Sequence, residues 1–376
     1  MGPRPLLVNR LTVGVKRIRN NPYYYYQDSI KTKDGHKIIT TQICRTDVDS
    51  RQLIVMTRAV FFKHLLKILR NMGVAKGSTL YQFHNNPTAV DVHFLEVSKI
   101  ICEQLLKNIS LQERQDLETT IFVSYVHGTT AIEGNTLSKG ETYDILISDL
   151  SPSNKSRNEI IEIANFNQVK KYLDSYTGEL SSKLIKTIHK LAMIGIIDDH
   201  GRPIIAGEYR RDMRGIHRSL ISVSKPEDIE DHIDQAIDWY NFNRDLKIHP
   251  IEIASKFHQM FEEIHPFQDG NGRVGRELLN WMLSKSGYPR IYILREHRNI
   301  YLNALDEGNS KNYVPLIDFI IARIMAVLSW IYSKTHIFDA VNTKEYKDMF
   351  VNVVGEKTYN GFIQLVRYHN DSNELP

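Results

Sequence analysis

The chain has few cysteines, little net charge and no regular metal-binding motif. Its only cysteines among 376 residues are Cys44 and Cys102, and neither lies in a CxxC or Cys/His pattern, which argues against a disulfide framework and a zinc site. The 15 histidines include no HExxH motif, so we interpret them as scattered. Lysine and arginine (48) exceed aspartate and glutamate (44) by only four, which does not indicate nucleic-acid binding.

Long uncharged apolar runs are also missing. Arg10 and Lys16 interrupt the basic N-terminus before it can supply the apolar core of a signal peptide. The most apolar stretch, 316–332, contains Asp318 and Arg323 and is short for a bilayer. With 42% apolar and 24% charged residues, the composition is that of a soluble globular protein. We therefore expect a cytoplasmic protein without a membrane segment.

Apolar spacing predicts a mainly α-helical protein with a small N-terminal sheet. Aromatic and β-branched residues flank Asp34-Gly35, which predicts a hairpin, and strand packing explains the tyrosine run 23–26 better than base stacking does. The tail carries few apolar residues and should fray at its end, HNDSNELP. We divide the chain into a strand and hairpin extension (1–48), a helical region (49–114), a helical domain (115–335) and a C-terminal tail (336–376).

Two helix starts carry the pattern of a capping box, in which a serine and a glutamate three residues later satisfy each other's backbone donors. Ser156 with Glu159 is the first pair, and Ser224 with Glu227 is the second. These pairs predict helices that begin just after the serines.

The segment HPFQDGNGRVGR, residues 265–276, is the most informative part of the chain. Helical apolar spacing on both sides predicts a helix, a tight loop and a second helix. Gly270 and Gly272 allow backbone N–H groups around Asn271 to converge on one anion at the start of the second helix. Arg273 and Arg276 lie on its first turn, where both guanidinium groups can grip phosphate oxygens.

The same segment holds a candidate base and a candidate metal ligand. His265 closes the first helix, and an imidazole with an ordinary pKa of about 6.5 can accept a proton near neutral pH. Asp269 supplies a hard oxygen of the kind that Mg²⁺ prefers beside substrate phosphates. Taken singly, these residues are equally typical of a helix cap, a turn and a solvated face. Together they indicate phosphoryl or nucleotidyl transfer.

The segment resembles the signature of the Fic family, H-x-F-x-[DE]-G-N-G-R-x-x-R, without a departure. The resemblance implies a Fic-type helical bundle with a short β-hairpin flap, and transfer of AMP from ATP to a protein hydroxyl. It also implies the site residues, namely a general base (His265), a Mg²⁺ ligand (Asp269), a buried anchor of the loop (Phe267), and groups that bind the phosphates (Gly270, Asn271, Gly272, Arg273 and Arg276).

A second segment, GTTAIEGNTLS, resembles the inhibitory motif [ST]-x-x-x-E-[GN] of many Fic proteins. Thr129, Glu133 and Gly134 occupy its specified positions. A carboxylate paired with Arg276 would occupy the space and the charge that the γ-phosphate needs. The resemblance therefore implies autoinhibition by Glu133, whereas Glu133 alone is equally typical of a helix end before a glycine cap.

A third segment upstream of the loop resembles the family's G-x-[YF]-R stretch and hairpin flap. Gly207, Tyr209 and Arg210 match the stretch, and a hairpin at roughly 213–223 would offer its edge to an extended target segment. An ordinary loop between helices is the alternative.

Two further residues, Asn299 and Tyr301, lie where family members commonly contact the adenine. Tyr301 is equally compatible with helix packing.

The function implied by the resemblance is protein adenylylation at a tyrosine, threonine or serine hydroxyl, with ATP and Mg²⁺ and a target protein docked on the flap. Self-modification and a homo-oligomer are compatible with it. The alternatives are removal of AMP with Glu133 directing a water, another Fic-type phosphotransfer, and a regulatory module that binds nucleotide without turnover. An intact His265 argues against the last, because a pure binder has no use for a base.

Overall fold

The computed structural model describes residues 13–18, 21–32, 35–198, 200–213, 223–335 and 344–370. The chain folds into two compact units. The first contains Met1–Leu80, Val90–Thr119 and Met325–Pro376, and the second contains Tyr81–Ala89 and Thr120–Ile324. The first unit thus joins N-terminal and C-terminal segments of the chain.

The first unit contains a small antiparallel sheet. Its strands are β1 (Val13–Ile18), β2 (Asn21–Thr32) and β3 (Gly35–Arg45), paired in that order. Thr32 lies opposite Gly35, so β2 and β3 form the predicted hairpin, although Asp34 lies outside the described residues. In the tyrosine run, Tyr26 is fully buried and its ring stacks 5.3 Å from that of His64. Packing therefore accounts for this tyrosine, as the sequence indicated.

The helices of the first unit include the chain's C-terminal part, and one of them packs on the sheet. Helix α1 (Ser50–Met72) is capped by Asp49 and packs on β2 and β3. In the C-terminal tail, Phe350 and Phe362 are almost completely buried. The end that was expected to fray lies mostly outside the described residues, which stop at 370. The apolar residues of the tail are few, but they recur at helical spacing. The other helices of this unit are α2 (Val92–Asn108), α12 (Lys344–Val354) and α13 (Glu356–Asn370).

The second unit is helical in its described residues. Helix α3 (Leu111–Ile132) begins in the first unit, and α11 (Val314–Lys334) ends there. Between them lie α4 (Lys139–Tyr143), α5 (Arg157–Ser175), α6 (Ser182–Met193), α7 (Ile229–Asp245), α8 (Pro250–Ile264), α9 (Asn271–Lys285) and α10 (Arg298–Asn309). The predicted mainly helical class with an N-terminal sheet is confirmed.

Among the described helices, α11 is long and apolar enough to cross a membrane, judged by length and composition alone. In the structure, 67% of its most apolar window is buried. A core helix passes the same test, so the finding is weak support for a membrane span.

One of the two predicted capping boxes is confirmed and the other is wrong. Ser156 caps α5 and exchanges bonds with Glu159 as predicted. At the second site a 3₁₀ turn begins at Pro226, with Lys225 as its N-cap, and α7 follows. Ser224 instead shares a 2.7 Å hydrogen bond with Nδ1 of His232. A proline fits the first position of a helical turn, so Pro226 moves the start of the turn past the serine.

Candidate active site

The candidate site lies between the end of α8 and the start of α9, where the backbone turns twice into the left-handed region. His265 ends α8 at φ 51° and ψ 59°, and Gly270 precedes α9 at φ 80°. Glycine adopts this conformation at little cost, whereas histidine there is uncommon and must be held by its surroundings. The first N–H groups of α9 have no partners within the helix, so they can bind an anion beside Gly270.

The side chain of Asn271 holds the loop closed. Its Oδ1 accepts from the backbone N–H of Phe267 at 2.8 Å, and its Nδ2 donates to the carbonyl of Phe267 at 2.9 Å. The family resemblance implies a phosphate-binding role for Asn271. In the structure its side chain has a structural role, which leaves its backbone N–H for an anion.

Phe267 anchors the loop in the core, as predicted. Its ring is fully buried and stacks on His189 with centroids 3.7 Å apart. The backbone N–H of Gly207 donates to Nδ1 of His189, so Nε2 carries the proton and donates to the carbonyl of Asp269 at 3.0 Å. Burial lowers the pKa of His189 to about 4, which keeps the ring neutral. His189 thereby fixes the loop carbonyl just before Gly270.

Arg210 ties the loop to the segment that precedes α7. Its Nε donates to the carbonyl of His265 at 2.8 Å, and its terminal nitrogens donate to the carbonyls of Asp212 and Ser224. Asp212 and Ser224 flank the predicted flap, whose residues 214–222 lie outside the described part of the chain. Arg210 therefore holds the two ends of that segment beside the candidate base.

The imidazole of His265 is partly exposed and partly buried. Its Nδ1 is buried, and the backbone of Glu262 interacts with the ring. Burial lowers the pKa of His265 below its ordinary value and the positive charge of Arg210 acts in the same direction, while the Glu262 backbone acts to raise this pKa. A neutral ring at neutral pH is the form that can accept a proton.

Arg273 is held between two acidic groups. Its guanidinium donates to Oε1 of Glu162 at 2.5 Å and to Oδ1 of Asp269 at 2.8 Å. The side chain is only 8% exposed. These two partners fix the orientation of the guanidinium group, so its charge is preorganised at the start of α9.

Arg276 is fixed by the motif around Thr129. Its Nε donates to Oγ1 of Thr129 at 2.8 Å, and a terminal nitrogen donates to the Thr129 carbonyl at 2.9 Å. The same nitrogen lies 2.6 Å from Oε1 of Glu133. Burial opposes ionisation of Glu133, but the charges of Arg276 and Arg273 prevail and lower its pKa. Glu133 is therefore the anion that neutralises Arg276 in this structure.

The carboxylate of Glu133 also lies close to the first turn of α9. A Cβ atom built on Gly272 would lie 2.5 Å from Oε1 of Glu133 and 2.7 Å from a nitrogen of Arg276. Such distances are far below van der Waals contact. Glycine at position 272 is thus required for a close approach of an anion to the α9 backbone.

An open pocket of about 550 Å³ lies beside these groups. Glu133, Glu162, Asp269 and Arg273 line it, so acidic and basic groups face the same space. The Asp269 side chain is half exposed, at 50%. Its carboxylate fits a Mg²⁺ ion, but no group of three His, Cys, Asp or Glu ligands occurs among the described residues. Phosphate oxygens would have to supply the remaining ligands.

The two residues predicted at the adenine lie in different surroundings. Asn299 is exposed at the start of α10. Tyr301 is only 1% exposed, and its hydroxyl shares a 2.7 Å hydrogen bond with Nε2 of His258. The ring therefore offers no face to a base in this structure. Its placement corresponds to the packing alternative.

Three residues of the site carried no recognisable pattern in the sequence. His189 and Glu162 come from α6 and α5, and each meets the loop only because the helices pack together. Gly275 is visible in the sequence, but the reason for a glycine there depends on Glu262, which lies on the facing helix α8. For His189 and Glu162, the one available signal was a polar residue at a position where the helical pattern predicts a buried side chain.

The comparisons with known proteins agree with this geometry. Residues 179–283 match the Fic/DOC family. Over 213 residues (55% of this chain) the sequence is 32% identical to protein adenylyltransferase fic-1 of Caenorhabditis elegans. Over 207 residues (54%) it is 30% identical to protein adenylyltransferase Fic of Aedes aegypti. Each alignment covers 40% of the relative, so the match is to a part of those proteins.

Solved structures show the same fold. A Fic domain containing signaling protein from Bacteroides thetaiotaomicron aligns with a TM-score of 0.58 and 22% identity, over 65% of this chain and 97% of that one. A fragment of Fic-1 from C. elegans aligns with a TM-score of 0.54 and 25% identity, over 74% and 82%. The loop from His265 to Arg276 lies inside residues 179–283, the part of the chain that matches the Fic/DOC family.

Proposed function

We propose that this protein transfers AMP from ATP to a hydroxyl group of a target protein, and that Glu133 restrains the reaction. One observation carries the proposal. A short loop holds an imidazole kept neutral by burial beside the N-terminus of α9, and two fixed arginines follow near the start of that helix. This arrangement combines a base with an anion seat, which nucleotidyl transfer requires.

In the proposed reaction, the triphosphate binds at the N-terminus of α9, with Arg273 and Arg276 gripping its oxygens. Because Nδ1 of His265 is buried, Nε2 is the nitrogen that takes the proton from the target's tyrosine, threonine or serine hydroxyl. That oxygen forms a bond to the α-phosphorus while the bond to the β-phosphate oxygen breaks, and pyrophosphate leaves. Mg²⁺ bound through Asp269 would neutralise charge on the phosphates.

Glu133 would restrain the reaction because it occupies the position of the γ-phosphate and neutralises Arg276. Its carboxylate pairs with Arg276 and lies against the backbone at Gly272. A γ-phosphate needs the same arginine, and two anions cannot share the position without strong repulsion. The side chain is 36% exposed, so it can turn away into the pocket.

The target would dock on the segment 213–223. Arg210 holds the carbonyls of Asp212 and Ser224, so both ends of this segment are fixed beside His265. A target chain paired along it would present a hydroxyl to the imidazole.

Labelled ATP tests the proposal directly. We would compare labelling of the protein itself and of a cell lysate by the unaltered chain, Glu133→Gly, Glu133→Gly/His265→Ala and a control with the exposed His36 changed to alanine. Glu133→Gly should raise labelling, the double variant should abolish it, and the control should not differ from the unaltered chain. Nucleotide binding without any transfer by Glu133→Gly would favour the regulatory module, and labelling that survives loss of His265 would refute its role as the base.

A further inference from the structure

A second acidic residue, Glu262 on α8, packs against α9 at Gly275, the residue before Arg276. A Cβ atom built on Gly275 would lie 2.4 Å from Oε1 of Glu262, so this carboxyl group rests against the α9 backbone next to Arg276. That oxygen is buried and has no hydrogen-bond partner among the described residues. The side chain as a whole is 15% exposed. The proposed reaction uses no such group, although a buried carboxyl normally has a partner.

Of Glu262 and its neighbours His258 and Tyr301, Glu262 is the group whose pKa lies near neutral pH. Nδ1 of His258 lies 3.9 Å from its Oε1, and burial lowers the pKa of His258 to about 3. Burial raises the pKa of Tyr301, so both neighbours stay neutral. Burial raises the pKa of Glu262 to about 7, Glu133 adds to this effect, and Arg276 opposes it. Arg276 and Glu133 keep their charges over the same range.

We propose that Glu262 is a positioning residue that competes with bound anions for the charge of Arg276. A protonated Glu262 leaves the guanidinium available for a terminal phosphate, whereas an ionised Glu262 weakens that contact. The inference rests on the proposed function, because it assumes that Arg276 binds the γ-phosphate of ATP. It adds a second control of the same arginine, by a residue of α8.

The sign of the pH dependence follows from linkage. A proton on Glu262 favours a phosphate on Arg276, and a phosphate on Arg276 favours the proton by the same factor. ATP affinity is therefore highest while Glu262 is protonated and falls as the pH rises through its pKa. Replacing Glu133 by glycine removes a charge that raised this pKa, so in that variant the fall begins below pH 7.

The experiment measures binding of ATP and ADP, with Mg²⁺, by titration calorimetry between about pH 5.5 and pH 8. It compares Glu133→Gly with Glu133→Gly/Glu262→Gln, because glutamine copies the shape of the protonated acid. From low to high pH, ATP affinity should weaken at least about fivefold more in the first protein than in the second, the lower end of typical coupling between sites. ADP lacks the γ-phosphate and should show no such difference. Titration of the nucleotide itself affects both proteins equally.

A matched control uses the neighbouring Glu263, which accepts from Gln259 at 3.1 Å and lies 3.8 Å from Lys311. Glu133→Gly/Glu263→Gln should keep the pH dependence of Glu133→Gly. Equal pH profiles with and without Glu262 would overturn the inference while a preference for ATP over ADP upholds the proposed function. A Glu133→Gly protein with no preference for ATP would overturn both. If the glutamine variant does not fold, Glu262→Met, an uncharged residue of similar volume, gives the same comparison.

Discussion

Oε1 of Glu133 lies 2.6 Å from a terminal nitrogen of Arg276, and that same nitrogen donates to the carbonyl of Thr129 four residues earlier in the chain. One segment thus supplies both the anion that neutralises the arginine and the groups that hold it still. The Thr129 hydroxyl completes the set by accepting from Nε at 2.8 Å. Removal of Glu133 would therefore leave Arg276 oriented, and a phosphate would meet a preorganised partner.

Thr129→Val tests this orienting role. Valine has the shape of threonine but leaves the buried Nε of Arg276 without an acceptor, which should cost about 1–3 kcal/mol in the free energy of unfolding. In a Glu133→Gly background it should also weaken ATP binding several-fold. The control is Thr130→Val, since the equally buried Thr130 hydroxyl bonds to Val126 of its own helix, 2.9 Å away. Urea unfolding and ATP titration check both effects, and identical ATP affinities for the two variants would contradict the role.

Gly272→Ala tests whether Glu133 and a phosphate occupy the same place. The added Cβ would lie 2.5 Å from Oε1 of Glu133 and 2.7 Å from Arg276, so either the side chains or the helix must shift. We expect ATP binding to fall at least about tenfold even in the Glu133→Gly protein, because the methyl group fills the seat of the anion. Fluorescent-nucleotide binding measures this. Restored affinity in the double variant would show that the alanine acts only through Glu133.

The sequence predicted the local parts of the site well, because they depend on residues close together in the chain. His265 at a helix end, Gly270 before the next helix and the two arginines on its first turn all follow from spacing along one segment. The pairing of Glu133 with Arg276 was also foreseen, but from a resemblance rather than from physics. The helical class and the hairpin of β2 and β3 follow from periodicity and turn residues.

The features that the sequence could not predict depend on packing between distant helices. Glu162 reaches Arg273 across more than one hundred residues of chain, and His189 reaches Asp269 across eighty. Neither pairing leaves a periodic or local mark. The second predicted capping box is wrong for a local reason. Pro226 starts the helical turn, so Lys225 rather than Ser224 occupies the cap position. Tyr301 was ambiguous because an aromatic residue on a helix face serves packing and binding equally well.

Asp269→Asn tests the assignment of the metal ligand. Asp269 and Glu162 both accept from Arg273, at 2.8 Å and 2.5 Å, but Asp269 is half exposed and Glu162 is buried. In the Glu133→Gly protein, Asp269→Asn should raise the Mg²⁺ concentration needed for half-maximal labelling about tenfold or more, the usual scale for a weakened ligand set. Glu162→Gln should leave that concentration unchanged, even where it lowers labelling. A rise of equal size in both variants would assign the effect to Arg273 rather than to the metal.

Arg210→Lys tests how the loop is held. Lysine keeps the charge but cannot donate simultaneously to the carbonyls of His265, Asp212 and Ser224, so buried acceptors lose their partners. We expect a loss of about 2–3 kcal/mol in the free energy of unfolding. Arg211→Lys is the control, because Arg211 is exposed and its ion pair with Glu208, at 3.3 Å, lies on the surface. Equal stability of the two variants in urea would show that Arg210 contributes nothing to the fold.

His189 gives the stability of the protein a defined pH dependence. Burial lowers its pKa to about 4, whereas an unfolded chain has an ordinary histidine pKa of about 6.5. Between these values the unfolded state binds the extra proton, so the stabilisation is complete above pH 6.5 and is lost as the pH falls toward 4. The full difference corresponds to roughly 3 kcal/mol.

Glutamine at position 189 can retain a donor and an acceptor without titrating. His189→Gln should therefore flatten this part of the stability profile, whereas His36→Gln at the exposed end of β3 should not. Urea unfolding at several pH values between about 4.5 and 7.5 measures the slope. An unchanged slope in His189→Gln would mean that other groups cause the acid sensitivity, since the ring that stacks on Phe267 would then make no titrating contribution to folding.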